Sequence, residues 1–121
     1  MKFLALLVPA LALVFAQQGQ LREANLDIRF EPTAKLQTQV PVPFQITVRD
    51  SLNKPFIQGK VTLQIETTEH RNVKVFNAPM TAPGIYIAKP VFPEAGEYNV
   101  YVEVRRDDRM SARTIQFSVA Q

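Results

Sequence analysis

Few side chains in this 121-residue chain are of types that bind metals or catalyse reactions. The chain has one histidine, His70, and three methionines, and it has no cysteine. The absence of cysteine excludes thiolate metal sites and disulfide bonds. Thioether sulfur holds Cu(I), and imidazole holds copper in either oxidation state, so the candidate copper ligands are His70, Met80 and Met110.

The spacing of these residues limits which of them could share an ion. His70 and Met80 bracket one predicted strand, and ten extended residues span about 33 Å, so we expect them at opposite ends of the fold. If successive strands run up and down, the turns near residues 54, 80 and 108 gather at one end. Copper, if bound, would therefore be held by Met80 and Met110 with one of the nearby loop carboxylates.

Three aspartates, Asp50, Asp107 and Asp108, are predicted at the same end, and calcium takes oxygen ligands of this kind. The chain has no Asp-x-Asp-x-Asp loop, and arginines flank these aspartates. The pattern therefore favours hairpin turns that begin with Asp over a calcium site.

Sequence motifs of enzymes are missing. The four glycines form neither a dinucleotide-binding fingerprint nor a phosphate-binding loop. A single histidine excludes the His-Glu-x-x-His zinc motif, and no nucleophile elbow surrounds Ser51, Ser111 or Ser118. We therefore predict a protein that is not an enzyme and that has no cofactor, with copper as the alternative.

Residues 1–16, MKFLALLVPALALVFA, have the pattern of a secretory signal peptide. We expect cleavage before Gln17, with residues 17–23 as a flexible leader and residues 24–121 as one domain. An uncut anchor is the alternative, but the thirteen apolar residues from Phe3 to Phe15 fall short of the roughly 20 that span a bilayer. The predicted location is extracytoplasmic, periplasmic or secreted, without a stable membrane span after cleavage.

The formal net charge of +3 becomes +2 once Lys2 is removed with the signal peptide. Such a small excess in an exported protein does not indicate a nucleic-acid partner. Asp107 and Asp108 interrupt the one basic cluster, which favours a solvated turn, with contact to anionic lipid headgroups as the alternative. The cluster comprises Arg105, Arg106, Arg109 and Arg113.

Apolar and polar residues alternate with a period of two through most of the mature chain, which predicts β-strands. No segment of ten or more residues shows a helical stripe. Seven short strands, each with one apolar face, bury that face when two antiparallel sheets pack together. The predicted fold class is all-β, a seven-stranded immunoglobulin-like β-sandwich. The predicted strands cover residues 26–30, 44–48, 61–65, 73–76, 84–92, 98–104 and 115–119.

The segment Pro93-Glu94-Ala95-Gly96 is predicted to carry the chain from one sheet to the other, with Gly96 supplying backbone freedom. Tyr98 follows this corner at the start of the sixth strand. We expect its hydroxyl to bond back to the backbone of the corner while its ring packs in the core.

Two segments resemble the YtkA-like domains of exported bacterial proteins, which are related in pattern to FixH-like domains. The first combines Val48-Arg49-Asp50, Lys54-Pro55 and Val61-Thr62-Leu63, and the second runs from Ala82 to Tyr98 with Pro-Gly-x-Tyr and Ala-Gly-x-aromatic motifs. The resemblance implies a small extracytoplasmic β-sandwich over residues 24–121, without known catalysis. In some members it implies copper handling or respiratory oxidase maturation.

Surface recognition is the function that these patterns favour. Tyr101 points away from the apolar face of the sixth strand, so we expect it on an exposed sheet face. The fifth strand is apolar on both faces, so it exposes either Ile85 and Ile87 or Tyr86. We therefore predict a binding or accessory module of the cell envelope that contacts a protein partner through Tyr101, Ile85 and Ile87.

Overall fold

The computed structural model describes residues 22–121, which fold as a β-sandwich with no helix. The predicted signal peptide and most of the predicted leader lie outside the described residues. The last two leader residues form β1, which pairs in parallel with β9. The strands are β1 (Arg22–Glu23), β2 (Asp27–Pro32), β3 (Phe44–Arg49), β4 (Lys60–Thr67), β5 (Lys74–Asn77), β6 (Met80–Ala82), β7 (Ile85–Ala88), β8 (Gly96–Arg106) and β9 (Arg109–Val119).

The strands form two sheets that are antiparallel except at β1. The five-stranded sheet has the order β1-β9-β8-β4-β5, and the four-stranded sheet has the order β2-β3-β7-β6. The all-β sandwich prediction is therefore confirmed. The predicted count of seven is wrong, because the described part of the chain forms eight antiparallel strands and the two-residue β1.

The core lies between the sheets and is built by the predicted alternation. Its largest members include Phe44, Phe92 and Tyr98, which are fully buried. The Phe92 and Tyr98 rings meet edge to face, with centroids 4.9 Å apart. Every second residue is buried along β3 and β4, and from Tyr98 to Val104 in β8, as their sequences predict. Burial of these side chains is the main stabilising contribution to such a sandwich.

The hydroxyl groups of two buried tyrosines form hydrogen bonds with the backbone of loops. The Tyr98 hydroxyl donates to the Glu94 carbonyl at 2.7 Å and accepts the Glu94 N–H at 3.2 Å, which confirms the predicted corner. The Tyr86 hydroxyl donates to the Phe56 carbonyl at 2.6 Å and accepts the Gly59 N–H at 3.2 Å. The two hydrogen bonds of Tyr86 fix the loop before β4, and no sequence pattern predicted them.

The predicted fifth strand is shorter than expected and its phase is now settled. Only Ile85–Ala88 forms the strand β7, while Val91 and Phe92 make isolated bridges. Tyr86 and Ala88 are fully buried, so Ile85 and Ile87 face outward. Pro90 lies beyond the end of β7, as expected for a residue that has no amide hydrogen to donate within a sheet. Its carbonyl accepts the N–H of Val42.

Candidate functional site

The proposed copper ligands Met80 and Met110 lie at opposite sides of the sandwich. Met80 is on β6, an edge strand of the four-stranded sheet, and Met110 is on β9, in register with Glu23 of β1. Arg113 of β9 reaches the Ile28 carbonyl of β2, so β9 lies over the sheet edge farthest from β6. The structure therefore does not bring the two thioethers together.

His70 lies at the other end of the molecule, in the turn after β4. Its Nδ1 lies 2.8 Å from Oε2 of Glu66, and its side chain is largely exposed. Among the described residues, no group of three or more His, Cys, Asp or Glu side chains is arranged to hold a metal ion.

The predicted contact residues occupy different faces. Tyr101 is half-buried on the outer face of the five-stranded sheet, in register with Gln64 and Thr114. Ile85 and Ile87 are half-buried on the outer face of the four-stranded sheet, in register with Thr47 and Gln45. A single partner surface on one sheet face would therefore use Tyr101 or the isoleucines, but not both.

A groove of about 800 Å³ opens between β2 and β9. Arg113 bridges it by donating to the Ile28 carbonyl at 2.7 Å. Its rim includes the outward residues Asp27, Arg29 and Glu31. Charged residues on an edge strand disfavour pairing with another strand, so we do not expect a β-strand to add to β2 in this groove.

The edge strand β5 has the opposite character. Val75 is 59 % exposed, and Val73, just before the strand, is 53 % exposed. Only Lys74 places a charge within the strand. Both valines are among the solvent-exposed large hydrophobic residues. They are two residues apart, so their side chains lie on the same face of the sheet.

The register of β5 shows which backbone groups are available. The Ala78 N–H donates to the Val61 carbonyl, so every second pair from there along β4, Leu63 with Phe76 and Ile65 with Lys74, is hydrogen-bonded. The intervening pair of Gln64 with Val75 is not. The N–H and C=O of Val75 therefore point away from β4, and no strand in the described part of the chain pairs with that side.

The other sheet edges are better protected. The edge β6 has three residues and an irregular register, and β1 has two residues. On β2, charged residues alternate along the outer face, and Pro32 removes one N–H. Natural sheets use these devices against edge-to-edge association. β5 is thus the least protected edge in residues 22–121.

Tyr101 and Val75 share a row across the outer face of the five-stranded sheet. The register places Thr114, Tyr101, Gln64 and Val75 side by side on β9, β8, β4 and β5. A strand added along β5 would extend this row, and its side chains would continue the face that carries Tyr101. We define the β5 recognition edge as Val73 and Val75; Tyr101 lies on the same sheet face two strands away, with Gln64 of β4 between them. Sequence patterns identified Tyr101, but the edge position of β5 depends on strand order, which they do not contain.

The titratable groups in these regions serve structural roles. Hydrogen bonds from Ser118 and then Gln116 lower the pKa of Glu97 across the β8–β9 hairpin. The N–H groups of Lys54 and Leu52 donate to Asp50 and lower its pKa, in a turn that begins with Asp as predicted. Asp50 thus stabilises a loop, with its carboxylate directed at backbone groups.

Comparison with known proteins gives little further information. No family model matches the chain, and no curated protein matches it. The chain is similar to the solution NMR structure of a lipoprotein from Bacteroides thetaiotaomicron, with 8 % identity over 76 % of this chain and 79 % of that chain and a TM-score of 0.39. A likeness this distant assigns neither a fold nor a function.

Proposed function

We propose that the protein is a non-catalytic binding module of the bacterial cell envelope that receives an extended segment of a protein partner along β5. The observation that carries this proposal is the unpaired β5 edge, where exposed Val73 and Val75 flank outward-pointing backbone groups. Addition of a strand to an open sheet edge is a recurring mode of peptide recognition, in which backbone bonds give affinity and alternate side chains give specificity.

The partner segment would be apolar at alternate positions. Side chains on one face of the added strand would contact Val73 and Val75, while those on the other face would approach Lys74 and Phe76, so an acidic residue there would suit Lys74. Export is supported by the signal-like residues 1–16, and the resemblance to YtkA-like domains agrees with an accessory role outside the cytoplasm.

Photo-crosslinking in intact cells tests this function. A benzophenone amino acid in place of Tyr101 should give one predominant adduct with an envelope protein. Val75→Pro removes only an outward N–H and keeps the bonds from Lys74 and Phe76 to β4, so it should leave the fold intact and abolish that adduct.

Val75→Thr is the matched control, since it keeps the backbone N–H and should keep the adduct. A crosslinker at Thr47, on the other sheet face, should not give the same product. An adduct that survives Val75→Pro, or identical adducts from positions 101 and 47, would contradict the proposal.

The copper alternative stays a separate prediction. Titration of the purified protein with Cu(I) and Cu(II) tests it, because affinity no better than micromolar would exclude physiological copper handling.

A further inference from the structure

A second surface lies at the end of the sandwich formed by the loop after β3 and the β8–β9 turn. The Arg106 guanidinium joins the two segments by donating to the Ile57 carbonyl at 2.9 Å and lying over the Phe56 ring at 4.1 Å. The N–H groups of Lys54 and then Leu52 chiefly lower the pKa of Asp50 in this loop, and the charges of Lys54 and Arg106 lower it further. We call this surface the loop end.

Apolar side chains project from the loop end. Leu52 is 74 % exposed at the tip of the turn, which makes it the most exposed large hydrophobic residue among those described. The turn is held rigidly, because Asp50 accepts the N–H groups of Leu52 and Lys54, both at 2.9 Å. Ile57, on the same loop, is 43 % exposed. This loop therefore presents two apolar side chains to solvent.

Lys and Arg side chains lie on the segments that form the loop end. Arg105, in register with Lys60, forms an ion pair with Glu103 at 2.7 Å and so adds no net charge, which leaves five other Lys and Arg side chains on these segments. The five are Arg49, Lys54, Lys60, Arg106 and Arg109.

The net positive charge of the described chain is concentrated at this end. Against the five cations stand three carboxylates, those of Asp50, Asp107 and Asp108, which leaves an excess of two. Lys2 is the one Lys or Arg outside residues 22–121, so the described residues carry thirteen Lys and Arg against all eleven Asp and Glu. The described residues therefore have a net charge of +2, the same as the excess at the loop end. Arg22 and Glu23 of β1, and the ion pair of Asp27 with Arg29, also lie near this end, and each of these two sets adds no net charge.

The chain also enters the described fold at this end. Arg22 is in register with Arg109, next to the β8–β9 turn, so residues 1–21 connect to the sandwich here. If the signal peptide were retained as an anchor, which is the alternative to cleavage, the anchor would precede the strand that enters the sandwich at the loop end.

We propose that the loop end docks on an anionic phospholipid surface, with Leu52 entering the headgroup region and the surrounding cations contacting lipid phosphates. Interfacial binding of this type combines buried apolar area with attraction to anionic lipid. Each Lys or Arg near such a surface contributes about 1 kcal/mol, which corresponds to roughly a five-fold change in partition coefficient. The docked loop end leaves β5 free, so this contact is independent of the partner segment proposed above.

Vesicle co-sedimentation of the exported protein, in the form that cells produce, tests this docking. The protein should bind vesicles of phosphatidylglycerol with phosphatidylcholine more tightly than pure phosphatidylcholine, and added salt should weaken binding. The double variant Lys54→Gln, Arg109→Gln should lower the partition coefficient by roughly twenty-fold or more. Leu52→Ser should lower it several-fold.

The matched control is Lys35→Gln, Lys89→Gln, which removes two exposed cations from the opposite end and should change binding less than two-fold. Equal affinity for neutral and anionic vesicles, or an equal loss in the control variant, would overturn the proposal. Binding that is lost with the cations but unchanged by Leu52→Ser would also overturn it, because it would indicate a general polyanion contact without insertion.

Discussion

At the scale of single residues, the two tyrosine hydroxyls show how few side chains fix the loops of this sandwich. Tyr98 and Tyr86 are both fully buried, yet each hydroxyl both donates and accepts a backbone hydrogen bond. Burial of these rings contributes to the core while their polar ends satisfy loop backbone groups that would otherwise lose hydrogen bonds.

Tyr98→Phe should lower the free energy of unfolding by about 1–3 kcal/mol, because it leaves the N–H and C=O of Glu94 without their partner. Tyr98→Ala should cost about 3–5 kcal/mol, since it also removes a buried ring. Urea unfolding of each variant measures both values. Tyr101→Phe, on the outer sheet face, is the control and should be nearly neutral. An equally neutral Tyr98→Phe would show that the corner bond does not stabilise the fold.

The lowered pKa of Glu97 leads us to expect a specific dependence of stability on pH. Its pKa in the folded protein lies below the ordinary value of 4.5, chiefly because Ser118 and then Gln116 donate to the carboxylate. The resulting stabilisation is complete above about pH 4.5 and disappears as the pH falls through the lower, folded-state pKa. Thermal unfolding of the wild type and Glu97→Gln should therefore differ at pH 6 and converge at low pH. A difference that is constant with pH would contradict this role.

At the scale of strands and turns, alternation of apolar and polar residues predicted the strands that bury one face. It missed strands that are recognised only by their hydrogen bonds to a neighbouring strand. β3, β4 and β8 follow their apolar patterns residue by residue. β1 and β6 are too short for any pattern. The first half of β9 was missed because the residues on its inner face include Ser111 and Arg113 at the open side of the sandwich, where no apolar residue is required.

The candidate site was predictable only in part for the same reason. Tyr101 could be placed outside because its strand has one clearly apolar face. The phase of β7 could not, because both of its faces are apolar, and burial of Tyr86 decided it. That β5 is an edge follows from strand order, which depends on contacts between residues far apart in sequence.

Substitution of Gly84 tests how tightly the turn before β7 is packed. It has φ +76°, and a Cβ there would lie 2.9 Å from Cβ of Pro55 and 3.0 Å from the Val48 carbonyl oxygen. Gly84→Ala should destabilise by more than the about 1–3 kcal/mol expected from backbone strain alone. Gly96→Ala is the matched control, with φ +136° but no atom within 4 Å of the added Cβ. Urea unfolding should show a larger loss for Gly84→Ala, and equal losses would contradict the packing argument.

At the scale of the whole molecule, two outer faces and two ends are available for contacts. The five-stranded sheet offers Tyr101 on the same face as the unpaired β5 edge and two strands away from it, while the four-stranded sheet offers Ile85 and Ile87 between polar neighbours. The loop end, with its excess of cations, lies at the end of the strands rather than on a face. The molecule could therefore hold a lipid surface and a protein segment at once.

Tyr101→Ser separates the two faces. Tyr101 is half-buried on an outer face, so the melting temperature should change little while capture of the partner weakens. Ile87→Ser, on the other sheet face, should leave capture unchanged. Pull-down with the purified variants and thermal unfolding measure the two effects. A large fall in the melting temperature of Tyr101→Ser, or a loss of capture in Ile87→Ser, would contradict the assigned face.

Residue-resolved hydrogen exchange at β5 tests the central claim most directly. In the free protein, the amide of Val75 should exchange rapidly, while those of Lys74 and Phe76, which bond to β4, should be protected. When the crosslinked partner is bound, the Val75 amide should become protected and its neighbours should change little. A Val75 amide already protected in the free protein, or one still unprotected in the complex, would contradict recognition by strand addition at this edge.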